Sequence, residues 1–374
     1  MNQNNLHFDV IVVGAGIVGL AHAWMALRRG LRVAVIDRDH RCVGASIRNF
    51  GFITVTGQRA GDTWRRAMRS RDLWAEVAPL AGIAVVHRGL WVVAQRARAL
   101  DVLAEFAGTE MGAGCELHPG TQWGDLAPAL RCDGMAGALY SPHELRVESR
   151  QAIPLLAAWL QTQGVHFVWG QEVLAIEGDV VHGSQGQWRA ERVVVCPGTE
   201  LNGVARSLLP GHALGLTRLQ MLRVRPEAGF RLGSAVMSDL SLVRYSGYAD
   251  LPSSAPLLAQ LQDECGQSLD DGIHLIAVQS EDGTLVVGDS HHPHASPGPF
   301  ASEAVDRRIL QHLREVVELA ECEVVERWTG VYPTGHTADC LIERAAPHLR
   351  LVIVTSGTGA STAFGIAEEV FNTW

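Results

Sequence analysis

The stretch that decides the fold lies near the start of the chain: Phe8-Asp-Val-Ile-Val-Val-Gly14-Ala-Gly16-Ile-Val-Gly19. Its apolar run predicts a buried strand, and glycines at G-x-G-x-x-G spacing predict a tight turn into a helix. The first glycine suits the turn, the second lets a phosphate approach the backbone, and the third allows close packing of helix on strand. A second apolar run, Leu31 to Asp37, ends on an acid that suits a ribose hydroxyl. The order of these features indicates a dinucleotide site with phosphates at the helix N-terminus.

The composition is that of an ordinary globular protein. The chain has 374 residues, enough for two domains with their own cores; 47% are hydrophobic and 19% are charged. The net charge of −9 disfavours non-specific binding to nucleic acid. No apolar run reaches the roughly 18 residues that a membrane helix needs. Residues 1–7 lack the basic and apolar regions of a signal peptide and indicate a short disordered leader.

Cysteine usage indicates a reducing compartment. The seven cysteines are scattered, odd in number and include no C-x-x-C pair. We therefore expect free thiols rather than a disulfide framework or a zinc site, and a cytoplasmic protein.

Three separate α/β signals indicate one discontinuous nucleotide-binding domain. The first is the opening fingerprint. The second combines a helix at 149–163, a strand at 165–169, a hairpin at 173–188 and a strand at 192–196. The third is a strand at 349–355, a glycine-rich loop and a helix at 361–371. We assign this domain to residues 1–81, 141–213 and 328–374.

The intervening regions, 82–140 and 214–327, have a different character. Strand-like runs at 89–94, 219–225, 273–279 and 285–288 occur with helical segments at 98–106 and 302–321, while 248–268 is loop-like in composition. This pattern predicts a substrate domain whose mixed, mainly antiparallel sheet is capped by helices. The predicted fold class is therefore α/β, with a Rossmann-type domain joined to a mixed-sheet domain.

The connection after Asp37 distinguishes this chain from plain Rossmann dehydrogenases. Residues 38–53 form a polar, glycine-containing segment that can wrap a flavin, where such a dehydrogenase would continue into parallel strands. Together with Val193-Val-Val-Cys-Pro-Gly198 and Ser356-Gly-Thr-Gly-Ala-Ser-Thr-Ala-Phe-Gly365, this segment resembles the amine-oxidising FAD family of D-amino-acid oxidase, glycine oxidase and sarcosine oxidase. These motifs span nearly the whole chain. The resemblance implies a two-domain flavoprotein and an FAD-dependent amine oxidoreductase.

Three runs, 44–58, 219–223 and 288–292, carry a closer resemblance. They are similar to FAD oxidoreductases associated with phosphonate catabolism. This implies oxidative deamination of a small anionic amine, an N-methylated aminoethylphosphonate that yields phosphonoacetaldehyde and an amine. Three alternatives stay open: a D-amino-acid, glycine or sarcosine type of oxidase or dehydrogenase, a flavin hydroxylase suggested by the G-D-x-x-H run, and a non-catalytic flavin-binding subunit.

The resemblance also implies how FAD is held. The last glycine-rich loop would lie by the flavin, where its N–H groups stabilise negative charge as the flavin takes hydride. Some relatives attach FAD to a cysteine, but Gly330 stands at that position and Cys340 follows ten residues later, so we expect non-covalent FAD. The implied FAD-contacting residues are Gly14, Ala15, Gly16, Ile17, Val18, Gly19, Asp37, Arg38, Ala45, Ser46, Arg48, Asn49, Phe50, Gly51, Val173, Cys196, Pro197, Gly198, Gly330, Gly357, Thr358, Gly359, Ala360, Ser361 and Thr362.

Two catalytic side chains, Tyr332 and His291, are implied by the same alignment. A phosphonate dianion needs charge-assisted donors, and two arginines share one face of the strand predicted at 219–225. The expected substrate-binding residues are Arg48, Thr56, Gln58, Gln220, Arg223, Arg225 and Ser361, with Thr54, Arg218, Arg244 and Tyr245 as further candidates.

The electron acceptor stays open between O2 and another acceptor, with an oxidase favoured over a dehydrogenase. Sarcosine-oxidase-like relatives place a lysine over the flavin to assist oxygen, and Val286 stands at the matching position. Protonated His291 is an alternative cation. No metal is expected, because His291, His292 and His294 are crowded on a proline-containing loop where Asp289 is the nearest carboxylate.

Overall fold

The chain folds around two β-sheets. The structure is a computed structural model and describes residues 7–209, 211, 214–335 and 338–374. Residues 1–6, which make up most of the predicted leader, and positions 210, 212, 213, 336 and 337 of the predicted nucleotide-binding domain lie outside the described residues. The strands, in chain order, are β1 (His7–Val13), β2 (Val33–Asp37), β3 (Phe52–Ile53), β4 (Val85–Ala94), β5 (Glu116–Pro119), β6 (Gly137–Val147), β7 (His166–Trp169), β8 (Val173–Glu177), β9 (Val180–Gly183), β10 (Gln187–Val195), β11 (Gly215–Pro226), β12 (Ala235–Met237), β13 (Ile276–Gln279), β14 (Leu285–Gly288), β15 (His292–His294), β16 (Cys322–Thr334), β17 (Cys340–Ala346) and β18 (Leu349–Val354).

Apolar residues at helical spacing explain the main helices. In α8 (Glu303–Val316), for example, Val305, Ile309, Leu313 and Val316 fall on one face and are buried. The α-helices of the described ranges are α1 (Ile17–Leu27), α2 (Asp62–Leu80), α3 (Ala97–Ala107), α4 (Ser149–Thr162), α5 (Gly203–Ser207), α6 (Ser246–Ala249), α7 (Ser254–Asp270), α8 (Glu303–Val316) and α9 (Gly359–Asn372).

The first sheet has the Rossmann arrangement that the fingerprint predicts. Its main strands lie in the order β17–β18–β10–β1–β2–β7. Strand β1 is parallel to β2 and β10, and β18 and β7 extend the parallel set on either side. The predicted hairpin forms β8 and β9, which join the sheet beside β10. Because parallel strands end at one edge of a sheet, the turns after β1, β2 and β10 meet there.

The second sheet is mixed, also as predicted. Its order is β15–β11–β14–β13–β12–β4–β6–β3, with β16 paired to β11 and β5 paired to β6. Strands β4 and β12 are parallel, whereas β11, β14, β13, β15 and β16 pair antiparallel. The long β11–β16 ladder sets Leu219 opposite Gly330 and Thr217 opposite Tyr332. This register positions Gly330, which the sequence associates with the flavin, and Tyr332, which it associates with the substrate.

The division into sheets differs in places from the expected domain limits. Strand β3 and the end of β6 lie in segments assigned to the nucleotide-binding domain, yet both belong to the second sheet. Strand β16 crosses the proposed limit at residue 328. The boundaries between the two domains stay a prediction. Strands of the second sheet also contribute to the walls of the candidate site.

Two segments form different secondary structure from that expected. The loop-like run 248–268 is mostly the helix α7, and Pro256 lies in its first turn. Backbone N–H groups there have no intrahelical acceptor, so a proline costs no helical hydrogen bond. Helix α8 ends at Val316 rather than near residue 321, because Val317 is extended and forms a bridge with Leu130.

Helix α9 fixes the last glycine-rich loop. It packs on α1 and α2. The indole N–H of Trp74 donates to the carbonyl of Ala360 at 2.8 Å, and the N–H of Gly365 donates to Ser70 Oγ at 2.8 Å. The start of α9, and therefore the loop before it, is held against the core of the first domain.

Candidate active site

The fingerprint turn brings three chain segments together. Gly14 has a φ of 102°, and a Cβ there would overlap the carbonyl oxygen of Cys196 at the end of β10. A Cβ at Gly19 would overlap the carbonyl oxygen of Gly14, so glycine lets α1 approach the turn. Helix α1 begins at Ile17, whose N–H donates to Ser46 Oγ at 2.9 Å. The positive end of the α1 dipole therefore faces the segment around Ser46.

The acid at the end of β2 is built into the same turn. Asp37 Oδ2 accepts from the N–H of Ala15 at 2.6 Å, and Oδ1 accepts from the N–H of Asp39 at 2.8 Å. Burial raises the pKa of the Asp37 carboxyl. The side chain also lines a cavity, so its remaining lone pairs are available to ribose hydroxyls.

Three adjoining cavities, the Asp37, Gly330 and Asp289 cavities, follow one another through the molecule. The Asp37 cavity has a volume of about 170 Å³. It is bounded by the ends of strands β1, β2 and β10 and by residues 44–46. Its walls include the predicted FAD contacts Gly14, Gly16, Asp37, Arg38, Ala45, Ser46, Val173, Cys196, Pro197 and Gly198. Arg38 also pairs with Glu200, with Nη1 and Oε2 2.6 Å apart.

The Gly330 cavity, about 120 Å³, shares Gly16, Ala45, Ser46, Cys196 and Gly198 with the first. Its walls also include the predicted contacts Ile17, Val18, Gly19, Arg48, Asn49, Gly330, Gly357, Gly359 and Ala360. A Cβ at Gly330 would lie 3.2 Å from the carbonyl oxygen of Arg48, so this wall is closely packed even around glycine. The continuous walls fit an elongated dinucleotide that runs from Asp37 past the start of α1.

The Asp289 cavity, about 280 Å³, continues from the second one. The two share Asn49, Leu219, Tyr332, Gly357 and Ala360. Phe50, Thr358 and Ser361 complete the side predicted to contact the cofactor, and residues of the second sheet form the opposite side.

Three predicted cofactor contacts do not line these cavities and support the turns instead. The N–H of Ala15 is used by Asp37. Gly51 donates its N–H to Asn49 Oδ1 at 2.7 Å, and a Cβ there would overlap the carbonyl oxygen of Val147. Thr362 is buried, and its Oγ1 donates to the carbonyl of Thr358 at 3.0 Å.

Tyr332 and Arg244 meet in the wall of the Asp289 cavity. Arg244 Nη2 donates to Tyr332 Oη at 3.2 Å. Tyr332 is 7% exposed, burial raises its pKa, and its ring lies against Gly357. Arg244 is exposed in this cavity and forms no ion pair with any carboxylate among the described residues. Its guanidinium is therefore available to an anion that enters the cavity.

Beside this pair, two imidazoles flank a buried carboxylate. His274 Nδ1 lies 3.4 Å from Asp289 Oδ1, and His291 Nε2 lies 3.7 Å from Asp289 Oδ2. His291 Nδ1 lies 3.0 Å from the carbonyl oxygen of Gly272, which assigns the proton to Nδ1 and leaves the Nε2 lone pair toward Asp289. The His291 ring meets the Tyr332 ring edge-on, with centroids 6.0 Å apart. The Arg244–Tyr332 pair and the cluster of His274, Asp289 and His291 thus form one continuous wall.

Burial sets the protonation of this wall. It raises the pKa of Asp289 to about 7, lowers the pKa of His291 to about 3, and lowers the pKa of His274 well below its usual value. Both imidazoles are therefore neutral near pH 7, where Asp289 exchanges between its two forms. The expectation that protonated His291 supplies a cation is wrong; Arg244 is a cation that lines this cavity.

The family model described as DAO, FAD-dependent oxidoreductase, matches residues 9–372. The chain belongs to this family of FAD-dependent oxidoreductases. The prediction of an FAD-dependent oxidoreductase with a two-sheet α/β fold is confirmed. When bound, FAD would supply a two-electron acceptor, and the residues that line the Asp37 and Gly330 cavities are those that would hold it.

Similar proteins agree with this assignment. Glycine oxidase of Geobacillus kaustophilus (strain HTA426) is 25% identical over 205 residues, which are 51% of this chain and 54% of that protein. The match thus spans about half the length of this relative. The crystal structure of glycine oxidase from Bacillus cereus ATCC 14579 is 16% identical, with a TM-score of 0.78 over 98% of this chain and 94% of that one. Iminodiacetate oxidase from Chelativorans sp. BNC1 is 18% identical, with a TM-score of 0.71 over 97% and 95%. The two structures share the fold of this oxidoreductase.

In this oxidoreductase, some of the predicted substrate-binding residues line a cavity, and the others lie away from the cavities. Gln58 and Ser361 line the Asp289 cavity, and Arg48 lines the Gly330 cavity. Thr54 also lines the Asp289 cavity, and its N–H donates to Ser361 Oγ at 3.0 Å. Thr56 lies behind this wall, where its Oγ1 donates to Ser141 Oγ at 2.7 Å.

The structure does not bring the predicted β11 donors into the cavity. Arg223 Nη1 donates to Thr284 Oγ1 at 3.0 Å, Arg225 pairs with Glu323 at the surface, and Gln220 Nε2 donates to the buried Asp306 at 2.8 Å. Arg218 donates to the carbonyl of Gly298 at 3.0 Å. By alternation, Arg223 and Arg225 share the face of Leu219, which lines the cavity, but they lie four and six residues further along β11.

Sequence reasoning missed His274 and the part that Asp289 plays. From sequence, Asp289 is part of the G-D-x-x-H run and the carboxylate nearest the crowded histidines, and His274 precedes the apolar strand β13 with no motif around it. Val286, which replaces the lysine of some relatives, is buried in the second sheet and does not line the Asp289 cavity. The absence of a metal at His291, His292 and His294 stays a prediction.

Two further expectations concern the chain as a whole. All seven cysteines are free thiols, as predicted. Among the residues that the structure describes, no helix is long and apolar enough to cross a membrane.

Proposed function

We propose that this FAD-dependent oxidoreductase deaminates a small anionic amine by oxidation, and that an N-methylated aminoethylphosphonate is its preferred substrate. The observation that carries this proposal is Arg244. Its guanidinium is exposed in the Asp289 cavity, hydrogen-bonded to Tyr332 and not paired with a described carboxylate. An acidic group of the substrate supplies the missing counter-charge.

The neighbours of Arg244 suit an anion with several oxygens. Tyr245, Ser246 and Thr334 line the same cavity, and each carries a hydroxyl donor. A phosphonate offers three acceptor oxygens, one more than a carboxylate, so it uses more of these donors. The resemblance of the 44–58 segment, which lines the other side, to phosphonate-associated oxidoreductases supports the same choice.

In the proposed reaction, the anion holds the substrate while the amine faces the flavin side of the cavity. Bound FAD would supply the two-electron acceptor for the C–H bond beside nitrogen, and the nitrogen lone pair would stabilise the iminium left on the substrate. Water then adds to this iminium and releases phosphonoacetaldehyde and methylamine. Tyr332 and Arg244 fix the substrate's orientation, and the acceptor that reoxidises the flavin is O2 or another oxidant.

A panel of amines mixed anaerobically with the purified holoenzyme tests this function. The panel contains N-methyl-aminoethylphosphonate, aminoethylphosphonate, sarcosine, glycine and D-alanine, with N-methylpropylamine as a matched amine without an anion. Bleaching of the flavin band is expected to be fastest with N-methyl-aminoethylphosphonate and slowest with N-methylpropylamine. Faster bleaching by an amino acid would favour the glycine-oxidase type of activity, since Arg244 also suits a carboxylate. No bleaching by any amine would support a non-catalytic subunit.

A further inference from the structure

The proposed function leaves one chemical requirement unassigned. Alkylamines have a pKa near 10, so the substrate reaches the site as an ammonium ion. The iminium can form only when nitrogen has a free lone pair, and a group in the cavity must therefore take one proton. We propose that Asp289, whose carboxylate lies between His274 and His291, accepts this proton. This inference rests on the proposed function and names the base for it.

Asp289 is placed where a substrate amine can reach it. It is 4% exposed, and it lines the same cavity as Arg244, Tyr332 and the flavin-side residues Gly357 and Ser361. An anion held by Arg244 thus leaves the rest of a short substrate between the flavin side and the carboxylate. The cavity, about 280 Å³, suits a substrate of this size.

The hydrogen bonding of Asp289 is incomplete in a way that points to a ligand. Its Oδ1 is buried and has no hydrogen-bond partner among the described residues, and the facing Nδ1 of His274 has none either. A buried carboxylate without partners is costly, and no described arginine or lysine pairs with it. A substrate ammonium supplies both the hydrogen bond and the charge.

The groups around Asp289 favour proton transfer to this carboxylate rather than to an imidazole. Its charged and titratable neighbours are Arg244, His274, His291, Tyr245 and Tyr332. Burial raises the pKa of both tyrosines and lowers the pKa of both histidines, so all four are uncharged near pH 7. With a pKa of about 7, Asp289 is the stronger base of the cluster.

The proton balance of the step is simple. An N–H bond of the ammonium breaks, its electron pair stays on nitrogen, and an O–H bond forms on Asp289. The C–H bond then breaks with its electron pair passing to FAD. After hydrolysis and product release, Asp289 returns its proton to solvent.

The test is the pH dependence of flavin reduction, measured by anaerobic stopped flow between pH 6 and 10 with an amine that bleaches the wild type. The variants are Asp289→Asn, Asp289→Glu and the control Asp263→Asn, which makes the same change on the exposed side of α7. For Asp289→Asn we expect a loss of roughly 10²- to 10⁴-fold near pH 7, the usual contribution of a general base. The loss should shrink to about tenfold or less near pH 10, because the free amine is then present without a base. Asp289→Glu should recover part of the rate, and Asp263→Asn should match the wild type.

A loss that is the same at every pH, or a wild-type rate near pH 7, would overturn the assignment of Asp289. The visible spectrum of the bound flavin gives a readout that does not depend on turnover. A pH-difference titration of the wild type should show a step near pH 7 that Asp289→Asn lacks, and the absence of this step from the wild type counts against the proposal. If no amine bleaches the wild type, the proposed function fails while this titration still decides whether Asp289 ionises beside the flavin.

Discussion

Arg244 donates a hydrogen bond to the phenol of Tyr332 at 3.2 Å, so a cation from the connection between β12 and α6 and a tyrosine from β16 act as one unit in the cavity wall. Neither residue belongs to the nucleotide fingerprint. Tyr332 lines both the Gly330 cavity and the Asp289 cavity, whereas Arg244 lines the Asp289 cavity and not the Gly330 cavity. We therefore expect substitution of Arg244 to affect the substrate anion and not the cofactor.

Substitution of Arg244 by methionine removes the charge and keeps much of the length of the side chain. We expect kcat/KM for N-methyl-aminoethylphosphonate to fall by roughly ten- to a hundredfold, as for the loss of a hydrogen bond to a charged group. Arg225→Met is the matched control, because Arg225 pairs with Glu323 on the surface. Steady-state kinetics decides between the two arginines: a loss confined to Arg225→Met would move the anion site to β11.

Tyr332→Phe and His291→Ala should yield yellow, folded enzymes with kcat/KM reduced by about ten- to a hundredfold. Tyr332 Oη contacts Arg244, and His291 contacts Asp289, whereas neither belongs to the phosphate or ribose sites. FAD content, measured from the ratio of absorbance at the flavin and protein bands, is expected to match the wild type. Wild-type kcat/KM in both variants would show that the substrate binds elsewhere.

FAD should be bound without a covalent link, because Gly330 occupies the wall position where a cysteine would be required. Acid precipitation of the holoenzyme is expected to release yellow flavin into the supernatant. Colour that stays with the pellet after washing would contradict this, and Cys42 and Cys196, which line the Asp37 cavity, would then be the thiols to substitute.

The nucleotide half of the site is the part that local sequence predicts well. Gly14, Gly19 and Asp37 lie within one strand–turn–helix–strand unit, so their spacing alone determines how they meet. The helix α7 was missed for a local reason too. The segment 248–268 has the proline and serine content of a loop, but proline is compatible with the first turn of a helix.

The substrate half depends on contacts between distant segments. Arg244, His274, Asp289 and Tyr332 come from four places in the second sheet and its connections, and no spacing in the sequence brings them together. The face of β11 that turns toward the cavity depends on its pairing with β14 and β16. Arg223 and Arg225 were candidates because they share one face of β11, but alternation does not tell how far along the strand the cavity extends, and it extends only to Leu219.

The close packing of α1 on the fingerprint turn predicts a strong effect at Gly19. In Gly19→Ala, the added methyl group would overlap the carbonyl oxygen of Gly14 and push the helix start away from the phosphates. We expect loss of most bound FAD and a lower melting temperature. Gly266→Ala is the control, because a Cβ at this position in α7 meets no atom within 4 Å. Equal FAD content in both variants, measured by absorbance after gel filtration, would show that the turn tolerates a side chain.

Asp289 should also give the stability of the protein an unusual pH dependence. Its pKa is raised from the ordinary value of 3.8 to about 7 in the folded state, so the folded protein holds this proton at pH values where the unfolded chain has lost it. The contribution of Asp289 to the free energy of unfolding therefore falls as pH rises from about 4 to about 7, by at most about 4 kcal/mol. His274 and His291 act in the opposite direction, since their lowered pKa values make the unfolded chain bind more protons below about pH 6.5.

The variant Asp289→Asn tests this pH dependence, because it removes the contribution of Asp289 and keeps that of the two histidines. Urea unfolding of both proteins between pH 5 and 8.5 should show the wild type losing stability relative to the variant as pH rises to 7, and a constant difference above that. A difference that is constant over the whole range would mean that Asp289 has no raised pKa in the folded protein.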